Sequence, residues 1–199
     1  MCDKKTTLVI ASGNKGKIRE IAEMLPEYNV CGCAELGFTG DIVEDGTTFL
    51  ENAYIKARAV ASALKLPALA DDSGLVVDAL GGAPGIYSAR YAGDGNDEHN
   101  NDLLLKNLEG ISDRRAKFVC AMAFCLPDGS GVDAEGETHG KILLAREGQN
   151  GFGYDPIFYS DDLNMSMGIA TDEQKNSVSH RARALKAIIE KIKKIEGIN

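Results

Sequence analysis

Two adjacent carboxylates, Asp71 and Asp72, sit between apolar runs in residues 69–80, with Ser73 and Gly74 directly behind them. Such runs read as buried strands, and Gly74 is expected to let the chain turn sharply between them. Ligands of open α/β sheets gather at strand ends, so paired acids placed there point to a metal site or a general base. Asp-Asp-Ser-Gly is also good turn chemistry, and an acidic surface turn is the plain alternative.

A second candidate is cationic. Residues 7–12 read as a first strand, and Ser12, Gly13, Asn14, Lys15, Gly16 and Lys17 lead into a helix with Ile18, Ile21, Ala22 and Leu25 at helical spacing until Pro26. Free N–H groups at such a junction favour a phosphate, to which Lys15 and Lys17 add charge. The glycine spacing of a Walker loop is missing. A helix start with solvated lysines fits the same residues.

The elements that must hold these groups follow from spacing. Residues 28–33 read as a second strand, and residues 37–46 as a loop carrying Asp41, Glu44 and Asp45. Thr48 and Glu51 form a capping box for a helix with buried stripe Phe49, Ala53, Ala57, Val60 and Leu64. Asn52 and Lys56, one turn apart on another face, either reach a cleft beside Glu44 as a metal ligand or are solvated. A glycine-rich loop, residues 81–91, carries Arg90, and a helix with Leu103, Leu104, Leu105 and Leu108 closes at Gly110. Residues 117–126 should be a strand buried on both faces, with residues 137–145 as its partner. His139 lies in that partner without an obvious acidic neighbour.

Polar chemistry returns late in the chain. Phe152, Gly153, Tyr154 and Asp155 lie on a glycine-hinged loop before a short strand at residues 157–159; they suit stacking and hydrogen bonding to a base edge, or the aromatics belong to the core. Lys175, Ser179, His180 and Arg181 precede and open a final helix with stripe Ala182, Leu185, Ile188, Ile189, Ile192 and Ile195. With Ser179 as N-cap, His180 and Arg181 oppose the helix dipole, which makes sense if an anion or polar ligand docks there.

Composition bounds the function. The 199 residues, 44% hydrophobic and 26% charged, suit one domain with a cleft, and a net charge of −8 argues against a nucleic-acid-coating surface while permitting a local basic pocket. The apolar run at residues 8–11 is too short for a signal sequence or a membrane span, so a cytoplasmic protein is expected. Of five cysteines, Cys31 and Cys33 have a weak metal-like spacing, while Cys120 and Cys125 would face opposite ways along a strand; buried, reduced thiols are the better reading.

Six ordered motifs carry a family resemblance. They are Ser12-Gly-Asn-Lys-Gly-Lys17, Glu44-Asp-Gly-Thr-Thr-Phe-Leu-Glu-Asn-Ala53, Ala70-Asp-Asp-Ser-Gly-Leu75, Gly81-Gly-Ala-Pro-Gly-Ile-Tyr-Ser-Ala-Arg-Tyr91, Gly151-Phe-Gly-Tyr-Asp-Pro156 and Ser179-His-Arg181. Together they resemble the inosine triphosphate pyrophosphatase family, over nearly the whole chain, with Ser12 where many members carry Thr. The resemblance implies an α/β fold: a mixed, twisted central sheet with flanking helices and two lobes around a nucleotide-binding cleft, all within a single domain. It also implies a Mg²⁺ requirement, a homodimer, and hydrolysis of ITP, dITP or XTP to the monophosphate and pyrophosphate. By position, residues 12–17 should hold the triphosphate, with Asn14 and Lys17 making side-chain contacts and Lys56 reaching it from the second helix. Glu44 and Asp72 match the metal-linked acids, and Asp72 also matches the proton acceptor. Ser73, Phe152, Gly153, Tyr154, Asp155, Lys175, His180 and Arg181 match substrate-binding positions, the last of them near the purine.

Lys17 and Lys175 are expected to be solvated in the empty protein. A nucleotide-binding regulatory module without hydrolysis is the main rival; it would use the same glycine turn and cations but would not need the acids at 44, 71 and 72. A nucleic-acid-acting protein fits poorly with an acidic chain lacking a basic stripe.

Overall fold

The first described strand, β1 (Thr7–Ile10), is parallel to β2 (Asn29–Gly32) on one side and to β3 (Ala68–Val77) on the other. The computed structural model describes residues 6–196, so the reading of residues 1–5 and the Cys2 thiol lie outside it. Between β1 and β2 runs α1 (Lys15–Met24), capped by Asn14, whose side-chain oxygen accepts the N–H of Gly16 at 2.9 Å and of Lys17 at 3.2 Å. The expected capping box opens α2 (Phe49–Leu64): Thr48 Oγ1 accepts the Glu51 N–H, and the Glu51 carboxylate accepts the Thr48 N–H.

The remaining elements are α3 (Asp97–Asn107), β4 (Arg115–Cys125), β5 (Gly131–Ile142), β6 (Phe158–Ser160), β7 (Met165–Ser166), α4 (Asp172–Val178) and α5 (His180–Glu196). The strands make a mixed seven-stranded sheet in the order β2-β1-β3-β4-β5-β6-β7, antiparallel from β5 through β7. The expected strand at residues 117–126 is β4, and its partner starts earlier than expected. A tight turn, with Leu126 N–H donating to Ser130 O and Ser130 N–H to the Asp128 carboxylate, leads straight into β5.

Two compact units partition the chain. Among the described residues the first comprises 6–72, 121–135 and 184–196; the second, residues 73–120 and 136–183. In the first, Ala53, Ala57, Val60 and Ala61 of α2 bury against Val9, Ala68, Ala70, Cys31, Cys33 and Cys125. Alanines on that face let helix and sheet approach closely. In the second, Leu75, Leu104, Leu108, Phe118, Tyr154, Ile157 and Phe158 form the core. Cys31, Cys33, Cys120 and Cys125 are buried free thiols, and no metal-holding cluster of three or more His, Cys, Asp or Glu occurs among the described residues. No helix among them is long and apolar enough to cross a membrane.

Two expectations are corrected. No turn occurs at Gly74: β3 runs unbroken from Ala68 to Val77, because pairing within the sheet holds it extended and outweighs the local turn preference of Asp-Ser-Gly. The segment from Lys175 to Ser179 is not a mere approach to α5. Lys175 lies on a separate helix, α4, whose Thr171 and Gln174 make a capping box, and Ser179 joins the end of α4 to α5.

Candidate active site

In the first unit, β3 sends its adjacent acids to opposite faces, as alternation along a strand requires. Asp71 is buried and pairs with Lys17 of α1, Nζ to Oδ1 2.8 Å. Asp72 pairs with Lys56 of α2, and the same Lys56 Nζ reaches Glu44 Oε2, each at 2.8 Å. Asn52, one turn before Lys56, accepts the Gly46 N–H at 2.9 Å and directs its Nδ2 toward Asp72 Oδ2 at 3.4 Å. The helix face at Asn52 and Lys56 is therefore buried, contrary to the solvated alternative. Two carboxylates, each close to the same ammonium, supply the partners that a buried cation needs.

The electrostatics follow from this packing. Burial pushes the Asp72 carboxyl above the ordinary aspartate range even though Lys56 pulls it down. Burial alone would lower Lys56, but Asp72 and Glu44 outweigh it and hold its ammonium charged above the usual lysine value. Asp72 thus becomes a stronger proton acceptor than a surface aspartate while its neighbour stays cationic.

The loop before α1 is open. Gly13, Asn14 and Lys15 are exposed, and a Cβ placed on Gly13 would meet nothing within 4 Å. Ser12 Oγ accepts the Asn14 N–H at 3.1 Å. The expectation that Lys17 is solvated fails, because Asp71 draws its ammonium inward.

In the second unit, α4 and the start of α5 gather the other candidates around one loop. Asp155 Oδ2 accepts from Lys175 Nζ at 2.7 Å and from the Phe152 N–H at 2.9 Å. Lys175 is therefore buried and paired, not solvated. Its ammonium lies 4.6 Å from the centre of the Phe152 ring, with the Arg181 guanidinium at 5.9 Å. Gly151 has φ +77°, and a Cβ there would come within 2.1 Å of Asp155 Oδ2, so only glycine lets the loop close over that carboxylate. Arg181, buried, donates to Ser73 Oγ at 3.0 Å.

Three further candidates have definite surroundings. Tyr154 is core: buried, it donates its hydroxyl to Ser88 O at 2.8 Å. Its ring is not available for stacking, whereas Phe152 remains half-buried. His180 is buried and stacks on Phe118 with ring centres 4.9 Å apart, and Ser179 caps α5 through the Ala182 N–H as expected. His139 does have an acidic neighbour, since Glu137 Oε2 lies 3.2 Å from its Nε2, both side chains being exposed.

Residues that sequence reasoning passed over also hold these loops. Ser88 Oγ accepts the Leu75 N–H and donates to Gly85 O, within a 3₁₀ segment at Gly85–Arg90 where only a loop was expected. On α3, buried Asn100 accepts the Ala92 N–H and donates to Ala89 O. Neighbouring polar residues in a helix read as solvated, and no spacing marks them as loop anchors.

Donor chemistry bears on which metal could be held. Glu44 and Asp72 present carboxylate oxygens around one point of positive charge, and among the described residues no group of three or more His, Cys, Asp or Glu makes a closed cage. A hard ion that takes one or two carboxylates and completes its shell with phosphate oxygens and water fits that set; zinc does not.

Known proteins resemble the chain over almost its whole length. Residues 8–191 match the Ham1 family. A protein of Staphylococcus epidermidis named dITP/XTP pyrophosphatase is 48% identical over 179 residues, covering 89% of this chain and 92% of that protein. One of Nitratidesulfovibrio vulgaris with the same name is 48% identical over 197 residues, covering 94% and 95%. The solved structure of the Staphylococcus aureus Ham1 protein superposes with a TM-score of 0.86 at 45% identity, covering 95% of this chain and 99% of that one. The family match over residues 8–191 and these relatives show that the chain belongs to the Ham1 family.

Proposed function

We propose that this protein hydrolyses noncanonical purine nucleoside triphosphates, ITP, dITP and XTP, to the monophosphate and pyrophosphate. The observation that carries the reading is the convergence of Glu44 and Asp72 on Lys56, with Lys17 paired to Asp71 on the adjacent residue of β3. A regulatory module that only bound nucleotide would not need Glu44, Asp71 and Asp72 gathered around the two lysines.

Residues 12–17 bind the phosphates through the exposed backbone at Gly13 and Lys15 and the Lys15 side chain, and Lys17 and Lys56 neutralise charge on the leaving pyrophosphate. Asp72 Oδ1 is engaged by Lys56, while Oδ2 has only the long Asn52 contact, so Oδ2 takes the proton of the attacking water. Water adds at the α-phosphorus, the α–β anhydride bond breaks, and pyrophosphate departs. Mg²⁺ held by Glu44, and by Asp72 through a bound water, would supply charge neutralisation on the phosphate oxygens. In the second unit, the Phe152 ring stacks on the purine, and Ser73, Gly153, Tyr154, Asp155, Lys175, His180 and Arg181 shape and polarise its surroundings. The enzyme works as a single ITPase-like domain, a homodimer in the cytoplasm. These last assignments rest on the motif resemblance.

Product analysis tests the reading. ITP with Mg²⁺ should give IMP and pyrophosphate by chromatography; IDP and phosphate would place the cut at the wrong bond, and no turnover would favour the binding module.

A further inference from the structure

We propose that Asn101 and Asp97 of α3 are positioning residues for the Phe152 loop, acting on both main-chain polar groups of Gly153. Asp97 Oδ2 accepts the Gly153 N–H at 2.8 Å, and Asn101 Nδ2 donates to Gly153 O at 3.0 Å. The two side chains are four residues apart and so share one face of the helix. Gly153 sits at φ +61° next to Phe152, and the paired bonds fix the peptide planes on either side of it. The inference rests on the reading that Phe152 meets the purine.

Asn101 is fully buried, and its Oδ1 meets no hydrogen-bond partner among the described residues. Reversing the amide would set that oxygen against Gly153 O, so the orientation is decided by the loop. A buried acceptor without a partner works against folding, and an apolar residue of similar volume would remove that cost. What Asn101 supplies instead is a rigid hold on the residue beside the ring. A loop displaced by about 1 Å is enough to lower catalytic efficiency roughly a hundredfold.

The test measures melting temperature and kcat/KM for ITP and ATP in wild type, Asn101→Leu, Asp97→Ala and Asp97→Asn. Asn101→Leu should melt at or above wild type while kcat/KM for ITP falls about tenfold to a hundredfold, mainly through KM, with a smaller ITP preference over ATP. Asp97→Asn keeps an acceptor for the Gly153 N–H and should stay near wild type, whereas Asp97→Ala should move in the same direction as Asn101→Leu. Wild-type KM and preference in Asn101→Leu, or losses that merely follow a lower melting temperature, would overturn the proposal. Should Asn101→Leu not fold, equal behaviour of Asp97→Ala and Asp97→Asn would overturn it. A wild-type enzyme with no preference for ITP would instead overturn the substrate reading, and the KM comparison would still judge Asn101.

Discussion

Lysine meets carboxylate in both units, but the two arrangements are built for different work. Lys175 and Asp155 are each 5% exposed in their side chains, with the loop's own N–H completing the carboxylate's partners. Lys56 is 10% exposed, yet its partners Asp72 and Glu44 reach 14% and 35%. The first pair is closed and braces a loop; the second has oxygens left for water, an ion or a phosphate. Enclosure, rather than the residue types, separates a brace from a reactive site.

Breaking the open arrangement should have the largest effect. Asp72→Asn keeps size and removes the charge needed to accept a proton, so turnover should fall by several powers of ten while the protein stays folded and still binds nucleotide. Steady-state kinetics alongside nucleotide titration check this, and near-normal turnover would remove Asp72 from the chemistry.

Breaking the closed pair should be felt in stability. Lys175→Met strips the buried Asp155 of its ammonium, a change that costs about 3 kcal/mol or more when a buried ion pair loses one member. Denaturant unfolding should show it, and Lys56→Met should cost less because Glu44 and Asp72 can turn to water. If the two variants lose equal stability, the contrast in enclosure has no energetic meaning.

A smaller and purely functional effect is expected at Gly13. Nothing within 4 Å opposes a Cβ there, so Gly13→Ala should leave the melting temperature unchanged. A ligand approaching the open N–H groups would meet the new methyl, and kcat/KM should drop about tenfold, the scale on which roughly 1.4 kcal/mol of lost binding is read. Unaltered kinetics would argue against phosphate binding at residues 12–17.

These outcomes also show what was legible beforehand. The Thr48 and Glu51 capping box, the apolar run of β4 and the strand, glycine turn and helix at residues 7–24 are local patterns, and local patterns survive into the fold. Asp71 and Asp72 were visible as an unusual pair, but the turn assigned to Gly74 was not there, because neighbouring strands decide whether Asp-Ser-Gly bends. Lys17 and Lys175 read as solvated since their acidic partners, Asp71 and Asp155, lie 54 and 20 residues away along the chain. Asn101 carried no signal, as its partner is a main-chain carbonyl. The aromatic on a glycine-hinged loop already suggested a base edge at Phe152, whereas only the order of motifs, taken as a resemblance, linked Lys175 to a substrate.

The smallest effect lies away from both groups. The His99 imidazole hydrogen-bonds the Asp94 carboxylate at the start of α3, which raises the His99 pKa. A raised folded-state pKa contributes stability that is full below the unfolded value, about 6.5, and is lost as pH rises through the folded value. Melting curves of wild type and His99→Gln should differ slightly at pH 5 and converge at alkaline pH; a gap that widens with pH would reverse the sign of the interaction.

The central claim is that the open Glu44, Lys56 and Asp72 group acts on triphosphates whose purine carries a 6-oxo group. Comparing kcat/KM for ITP, XTP, GTP and ATP with Mg²⁺ tests it most directly. A site that hydrogen-bonds the 6-oxo group leaves its donors facing the 6-amino group of adenine, so ITP and XTP should exceed ATP by up to roughly four powers of ten and should also exceed GTP. Equal values for ITP and ATP would contradict the account even if pyrophosphate were released.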